Sequence, residues 1–407
     1  MSNPTTFGAI PRYYLSLVNS HGGNNCDTYC LFFLSLCYTN ILGFLYKYVF
    51  IDSTLDPTIA SAITISFAAA VRFSRIPLLI LLSRYKPSTM YVGTSLFSMA
   101  SHVALFFNHT AAMLVVALPI IGACYGLIST LVLVTAAKVG GGTPFVAISV
   151  RSNLAALVGA PVGIWLYTSH GTGYAFLFGA AMSFVSFIFA TGIPKYDVAP
   201  QQPPTLSTLV ATGVRNRQAR LVLVLLVITW ATCHQTYVLF PYMLSSLSYP
   251  SYYTMVFFLI KSLFVIFFAA PIYIISTSLD MSACRLFRHG ALLLIVSLCI
   301  SMLCYDGMIF LCALSIASAE IILVPLISMA LSKSVAVSQR TAIFVLHPVA
   351  LGIAEIIGGT LGSLLIGVPT FGIYLLILVF SFLNVFQFIA ARRVVAFDQT
   401  ICDTRRS

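Results

Sequence analysis

The stretch of sequence that decides the fold spans residues 194–218 and reads PKYDVAPQQPPTLSTLVATGVRNRQ. It holds four prolines and is the one long polar connection between apolar runs of about twenty residues. A run of that length crosses the core of a bilayer as an α-helix. Six such runs precede this stretch and six follow it, so we interpret 194–218 as a linker between two six-helix halves.

The composition also indicates a membrane protein. Of 407 residues, 59% are hydrophobic and only 8% are charged, with a mean hydropathy of +1.00. Soluble proteins keep roughly a quarter of their residues charged, and so few charges cannot cover a water-facing surface. The runs do not alternate as the strands of a membrane barrel do, which leaves helices as the spanning structure. The predicted fold class is an all-α polytopic membrane protein.

The apolar runs divide the chain into five regions. The predicted regions are a cytoplasmic N-terminal tail (1–27), a six-helix bundle (28–193), the cytoplasmic linker (194–218), a second six-helix bundle (219–390) and a cytoplasmic C-terminal tail (391–407). The twelve predicted spans are 28–50, 57–82, 90–107, 111–134, 146–168, 172–193, 219–244, 252–276, 287–305, 308–331, 341–366 and 370–390.

The positions of the cations predict the orientation of these spans. If the N-terminus is cytoplasmic and the spans alternate, seventeen of the 21 Lys and Arg residues lie on the cytoplasmic side and none in the opposite loops. The positive-inside rule describes this bias for a correct topology. We therefore expect a multi-pass protein with both termini in the cytoplasm. The short loops are compatible with a bacterial inner membrane.

Several functional classes are disfavoured by the sequence. The net charge of +11 comes from single cations and pairs between spans, which is not the basic stripe of a nucleic-acid-binding protein. The ten cysteines show neither a CxxC nor a Cys/His spacing, so we expect no disulfide framework and no metal site. The chain has no GxxxxGK[ST] loop, no HExxH motif and no large soluble domain. We predict neither enzymatic activity nor a cofactor.

A faint glycine repeat relates the two halves. Gly159 and Gly163 flank Pro161 in span five, and Gly358 and Gly362 lie in span eleven. The members of each matched pair are 199 residues apart. Small residues spaced four apart let helix backbones approach closely. Their recurrence fits two parallel repeats related by an axis along the membrane normal.

The segment 148–166, ISVRSNLAALVGAPVGIWL, resembles the fifth-span antiporter motif of drug-type exporters in the major facilitator superfamily. Arg151 followed by Gly159 and Pro161 is similar to the fifth span of bacterial sugar-efflux transporters. Segments 228–244 and 340–365 are loosely similar to the same proteins. The resemblance implies the major facilitator fold and an exporter.

The loop after span two departs from this superfamily. Residues 81–89 read LLSRYKPST, which keeps Arg84 and Lys86 but lacks the aspartate and the glycine that major facilitators usually carry there. The gating interactions of that motif are therefore not expected as a whole in this chain.

Two glutamates inside predicted spans are the candidates for proton coupling. Glu320 lies in SIASAEIILVPLI (315–327) and Glu355 in GIAEIIGG (352–359). Ionisable residues within spans cost several kcal/mol and are functional candidates for that reason. Apolar surroundings favour the protonated form of a carboxyl group, which suits a proton carrier. The alternative is that each glutamate pairs with an intramembrane cation and only ties helices together.

Cations within the spans are the candidates for substrate binding. Arg72 and Arg75 lie three residues apart in span two, and Lys261 lies near the middle of span eight. Together with Lys47 of span one, they exceed the two glutamates by about two charges, which a bound anion would balance. These cations favour a substrate with a carboxylate or phosphate. The alternative for Arg75 is that it snorkels to the membrane surface.

Span seven carries a further candidate surface for substrate contacts. Trp230, His234 and Gln235 give this span a polar and aromatic face that suits hydrogen bonding and stacking. The alternative for His234 is a histidine whose hydrogen bonds are satisfied within the bundle.

The leading functional hypothesis is a secondary active efflux transporter driven by proton antiport through Glu320 or Glu355. Its expected cargo is a small polar or anionic solute, such as a drug, a sugar derivative or a self-made antibiotic of the microcin C peptide-nucleotide kind, whose export gives self-immunity. Two alternatives are a sugar or metabolite transporter of opposite direction and a non-transporting viral or receptor-like protein on the same scaffold. Its expected partners are the lipid bilayer, protons and the solute, without nucleic acid, and we expect a monomer.

Overall fold

The computed structural model describes residues 26–53, 55–139, 143–193, 207, 211–246, 252–278, 282–301, 308–366 and 371–394. All regular elements in this part of the chain are helical. The α-helices in this part of the chain are α1 (Cys26–Lys47), α2 (Pro57–Phe73), α3 (Arg75–Arg84), α4 (Pro87–Phe107), α5 (Ala111–Val139), α6 (Thr143–His170), α7 (Thr172–Thr191), α8 (Arg217–Ser246), α9 (Tyr252–Ser278), α10 (Ala283–Ser301), α11 (Met308–Lys333), α12 (Arg340–Ile366) and α13 (Phe371–Ala390). Short π-helical turns follow α1 (Tyr48–Asp52) and precede α8 (Ala211–Arg215).

These helices coincide with the predicted spans, and span two consists of both α2 and α3. Pro77 explains the break. It has no N–H to donate to the carbonyl of Phe73, and its ring clashes with that carbonyl. Ser74, between the two helices, keeps helical angles (φ −56°, ψ −17°), so the chain bends without leaving the helical region.

Length and composition separate the helices into two groups. Among the described residues, seven helices are long and apolar enough to cross a membrane, namely α1, α4, α5, α6, α7, α10 and α11. Two shorter apolar stretches, Leu259–Ala269 and Ala342–Gly358, lie within α9 and α12.

The described residues form two compact units. The first comprises the described parts of 21–139 and 151–206, and the second the described parts of 140–150 and 207–407. In the first unit, α4 packs along α7, α2 packs along α5, and α1 contacts both α5 and α7. In the second unit, α8 packs along α12, α10 along α11, and α9 also contacts α11.

Large apolar side chains occur both inside the units and on their outer surfaces. Phe44, Phe67 and Phe176 are almost fully buried in the core of the first unit. Phe107 and Phe382, in contrast, are 78% and 73% exposed. Exposed apolar side chains of this size suit a surface that meets lipid. Lipid tails are as apolar as these side chains, so close packing and polar contacts hold the helices together.

Candidate functional site

A buried ion pair joins α9 to α11 in the second unit. The Nζ atom of Lys261 lies 2.6 Å from Oε1 of Glu320, and the two side chains are 5% and 13% exposed. Their helical neighbours Val265, Ala317 and Ile321 belong to one buried apolar cluster. Separating two charges in such surroundings is costly, so a change in the charge of either side chain strongly affects the other.

The Cys233 thiol on α8 is a third member of this site. It is 1% exposed and donates a hydrogen bond to Glu320. The site therefore combines side chains from α8, α9 and α11. The sequence assigned Cys233 no role, because a cysteine in an apolar run gives no sign of its partner.

The second candidate carboxyl group has a different partner. Trp230 on α8 donates from Nε1 to Oε1 of Glu355 on α12, over 3.0 Å. The indole ring packs against a buried cluster that includes Ala354 and Phe380. Predicted as a substrate contact, Trp230 has its N–H engaged within the second unit. This hydrogen bond, whose acceptor is the half-buried carboxyl group of Glu355, joins α8 to α12.

The two arginines of span two lie in different surroundings. Arg75, the first residue of α3, is 3% exposed, and its Nη2 donates to Ser129 Oγ on α5 at 2.9 Å. Its head group is thus held inside the first unit. Arg72, in the last turn of α2, is half-buried.

The other predicted substrate contacts lie on α8. His234 is half-buried and directly follows Cys233. Gln235 belongs to the same helix, but its side chain lies outside the described residues, as does that of Lys47 on α1. Of the predicted substrate-binding residues, Lys261 contacts the candidate proton carrier Glu320, and Trp230 contacts the other candidate, Glu355.

The glycines of span five lie where α6 crosses α1. A Cβ atom on Gly159 would overlap the side chain of Thr39, and one on Gly163 would overlap the backbone oxygen of Asn40. Thr39 Oγ1 also donates across this crossing to the carbonyl of Ala155, at 3.0 Å. Because Gly159 and Gly163 have no side chains, the backbones of α1 and α6 can come into contact.

The remaining motif residues are spread over α6 and α12. Arg151 is half-buried near the start of α6, and Pro161 lies inside that helix. Gly358 is buried in α12. Gly362 belongs to the same helix, but its surroundings lie outside the described residues.

Paired serines between α4 and α7 were missed by sequence reasoning. Ser95 Oγ lies 3.0 Å from Ser186 Oγ, and Ser98 Oγ lies 2.9 Å from Ser183 Oγ. The Cys30 thiol on α1 adds a contact to Ser186 at 3.0 Å. Each helix carries its two serines three residues apart in an otherwise apolar run. That spacing is a signal that could have predicted this polar contact.

Solved structures of several transporters share the fold of this chain. Human organic anion transporter MFSD10 (TETRAN) is 16% identical, with a TM-score of 0.72 over 90% of this chain and 98% of that one. A POT family transporter in complex with 5-aminolevulinic acid is 15% identical, with a TM-score of 0.68 over 92% and 96%. The nucleoside transporter NupG is 16% identical, with a TM-score of 0.60 over 91% and 99%. No protein-family profile and no curated protein sequence matches the chain.

These similarities establish the fold and confirm the predicted fold class. Over the described residues, the chain is an all-α polytopic membrane protein with the fold of these transporters, and its helices agree with twelve predicted spans when α2 and α3 are counted as one. At 15–16% identity, the likeness extends to architecture and not to substrate. The sugar-efflux and drug-antiporter likeness therefore stays a prediction.

Proposed function

We propose that the chain is a secondary active transporter that couples the movement of a small polar or anionic solute to protons through Glu320. The observation that carries the proposal is the buried contact of Glu320 with Lys261, at 2.6 Å. Its setting is a fold shared with transporters named for organic anions, peptides and nucleosides. In the described contacts, Glu320 pairs with a cationic substrate-binding candidate, Lys261, whereas Glu355 accepts a hydrogen bond from the neutral indole of Trp230.

The coupling follows from the charges of the pair. While Glu320 is ionised, it and Lys261 together carry no net charge. When Glu320 takes up a proton, Lys261 keeps its positive charge, and an anionic group of the solute is then stabilised beside it. Proton and anion thus favour each other's binding, and this linkage is reciprocal.

This reciprocity bears on the direction of coupling. For an anionic solute it favours cotransport of solute and proton, which agrees with the alternative of a metabolite transporter of opposite direction. The proton antiport implied by the resemblance to exporters needs proton and solute to compete. A cationic group on the solute would meet that condition, because it would pair with ionised Glu320.

Proteoliposomes of the full-length protein test the proposal. We expect an inward proton gradient to drive accumulation of at least one radiolabelled solute with a carboxylate group, from a panel that includes 5-aminolevulinic acid. Glu320→Gln should reduce this accumulation about tenfold or more, a change typical of the loss of a proton-transfer group. It should retain solute exchange at equal pH, because glutamine resembles the protonated carboxyl group.

Glu355→Gln is the matched variant, since Glu355 is the other glutamate within the spans. It should keep gradient-driven accumulation, because its carboxylate is bonded to Trp230. Two outcomes contradict the proposal: no panel solute responds to a pH gradient of either sign, or Glu320→Gln accumulates solute as the parent protein does. Loss of coupling in Glu355→Gln alone would transfer the role to that residue.

A further inference from the structure

An apolar groove lies between α8 and α12 on the surface of the second unit. It has a volume of about 350 Å³. Aliphatic side chains dominate its walls, among them Leu223, Val224, Val227, Leu346 and Ile353. Val224 and Ile353 are 42% and 44% exposed, so the groove opens to the surroundings of the two helices. In a membrane protein, such a groove suits a hydrocarbon chain.

One end of the groove is cationic. Arg220 lines the groove, is exposed, and donates from Nη1 to the carbonyl of Val214 at 3.0 Å. This contact fixes the guanidinium group and leaves its other donors available to a ligand. Arg215 and Arg217 precede it by less than two helical turns and are also exposed. An anion at this end would meet the guanidinium group of Arg220, with two further exposed cations close by in the chain.

We propose that the groove binds an anionic phospholipid, with one acyl chain along α8 and α12 and the phosphate on Arg220. Along α8, the seven residue steps from Arg220 to Val227 span about 10 Å, which suits part of a single acyl chain. A small free anion would leave the aliphatic walls exposed, and a zwitterionic lipid would gain less from the cationic end. Anionic lipid headgroups are attracted to clusters of basic residues beside membrane-spanning helices.

Quenching of tryptophan fluorescence by brominated lipids tests this proposal. The chain has two tryptophans, and Trp165→Phe leaves Trp230, which packs in the same cluster as the groove residue Val227. The full-length variant is reconstituted with dibrominated phosphatidylglycerol or with dibrominated phosphatidylcholine that has the same chains. We expect about fivefold tighter binding of the anionic lipid, the contribution of one arginine near a lipid headgroup.

Two further substitutions separate headgroup binding from chain binding. Arg220→Gln should abolish the preference for phosphatidylglycerol. Arg285→Gln removes another exposed cation, near the start of α10 and not among the residues that line the groove, and should retain the preference. Val224→Phe, which fills the groove, should reduce quenching by both lipids.

Three outcomes would overturn the proposal. The first is equal binding of both lipids by the parent protein, which would mean a groove without headgroup selection. The second is the same loss of preference in Arg285→Gln as in Arg220→Gln. The third is no quenching by either lipid, as expected if a protein segment or a second copy of the chain covers the groove.

Discussion

Lys261 and Glu320 offset each other's cost of desolvation only while both are charged and in contact. Each lies on a helix within the membrane fold, and neither side chain is more than 13% exposed. A buried ion pair contributes little net stability, because the attraction between its charges replaces lost hydration. The loss of one partner is nevertheless costly, because it leaves an uncompensated charge in apolar surroundings.

Substitutions at this pair should therefore be strongly non-additive. Lys261→Met alone should lower the free energy of unfolding by about 3–5 kcal/mol near neutral pH. The double variant Lys261→Met/Glu320→Gln should recover most of that loss, because it leaves no buried charge. Thermal unfolding of the purified variants in detergent measures the effect. Equal destabilisation of the single and double variants would show that the pair does not hold these helices together.

The members of the site could be predicted from the sequence better than their contacts. Glu320 and Lys261 stand out because each interrupts a long apolar run. They are 59 residues apart, so no local spacing indicates that they meet. Glu355 looked equivalent in sequence, yet it bonds to Trp230. The partner that each glutamate contacts depends on which helix faces meet. In a helix that is apolar on all sides, the sequence does not indicate which face packs against which neighbour.

At the scale of elements, the crossing of α1 and α6 depends on glycines on both helices. Gly43 of α1 meets the backbone of Ala160, just as Gly159 and Gly163 of α6 meet α1. Asn40, beside Gly163, also donates from Nδ2 to the carbonyl of Ala175 on α7, at 2.9 Å. The crossing is thus coupled to the packing of a third helix.

A single methyl group at this crossing should destabilise the first unit. Gly163→Ala places a Cβ atom against the backbone oxygen of Asn40, which cannot rotate away as a side chain can. We expect a loss of about 1–3 kcal/mol in unfolding free energy, typical of overpacking. The matched control is Gly93→Ala on α4, where a Cβ atom meets nothing within 4 Å.

Unfolding in detergent, followed by circular dichroism, distinguishes the two alanine variants. Gly93→Ala should be neutral or stabilising, because alanine forms helix better than glycine. If Gly163→Ala is as stable as Gly93→Ala, the backbones of α1 and α6 do not need their close approach.

The extent of each element could be predicted because hydrophobic length determines it directly. The predicted spans and the helices differ by a few residues at most boundaries. The break at Ser74 was missed, although Pro77 gives a local signal for it. The prediction of one continuous span placed Arg72 and Arg75 on a single helix, whereas they lie on different sides of the break.

At the scale of the whole molecule, the cations indicate how the chain crosses the membrane. Arg215 before α8 and Arg217 at its first position lie on the same predicted side as Arg392 and Arg393 after α13. The predicted loops of the other side hold no Lys or Arg. The bias involves seventeen cations spread over the whole chain. An error in the number of spans would reverse every loop after it, so the bias also tests the count.

Chemical labelling of two short connections tests this orientation. Asn108, between α4 and α5, and Ala336, between α11 and α12, are both exposed. Seven predicted spans separate them, and an odd number requires opposite sides of the membrane. In a background without the ten native cysteines, a membrane-impermeant maleimide should label Asn108→Cys in intact cells. It should label Ala336→Cys only after permeabilisation.

The labelling pattern distinguishes three arrangements of the chain. The reversed pattern would keep the odd number of spans but place both termini outside, against the positive-inside rule. Labelling of both positions from one side would require an even number of spans between them, which contradicts the alternating topology. The predicted pattern would also place Arg220, and with it the cationic end of the proposed lipid groove, in the cytoplasmic leaflet. That leaflet is where anionic lipids supply a negative surface potential.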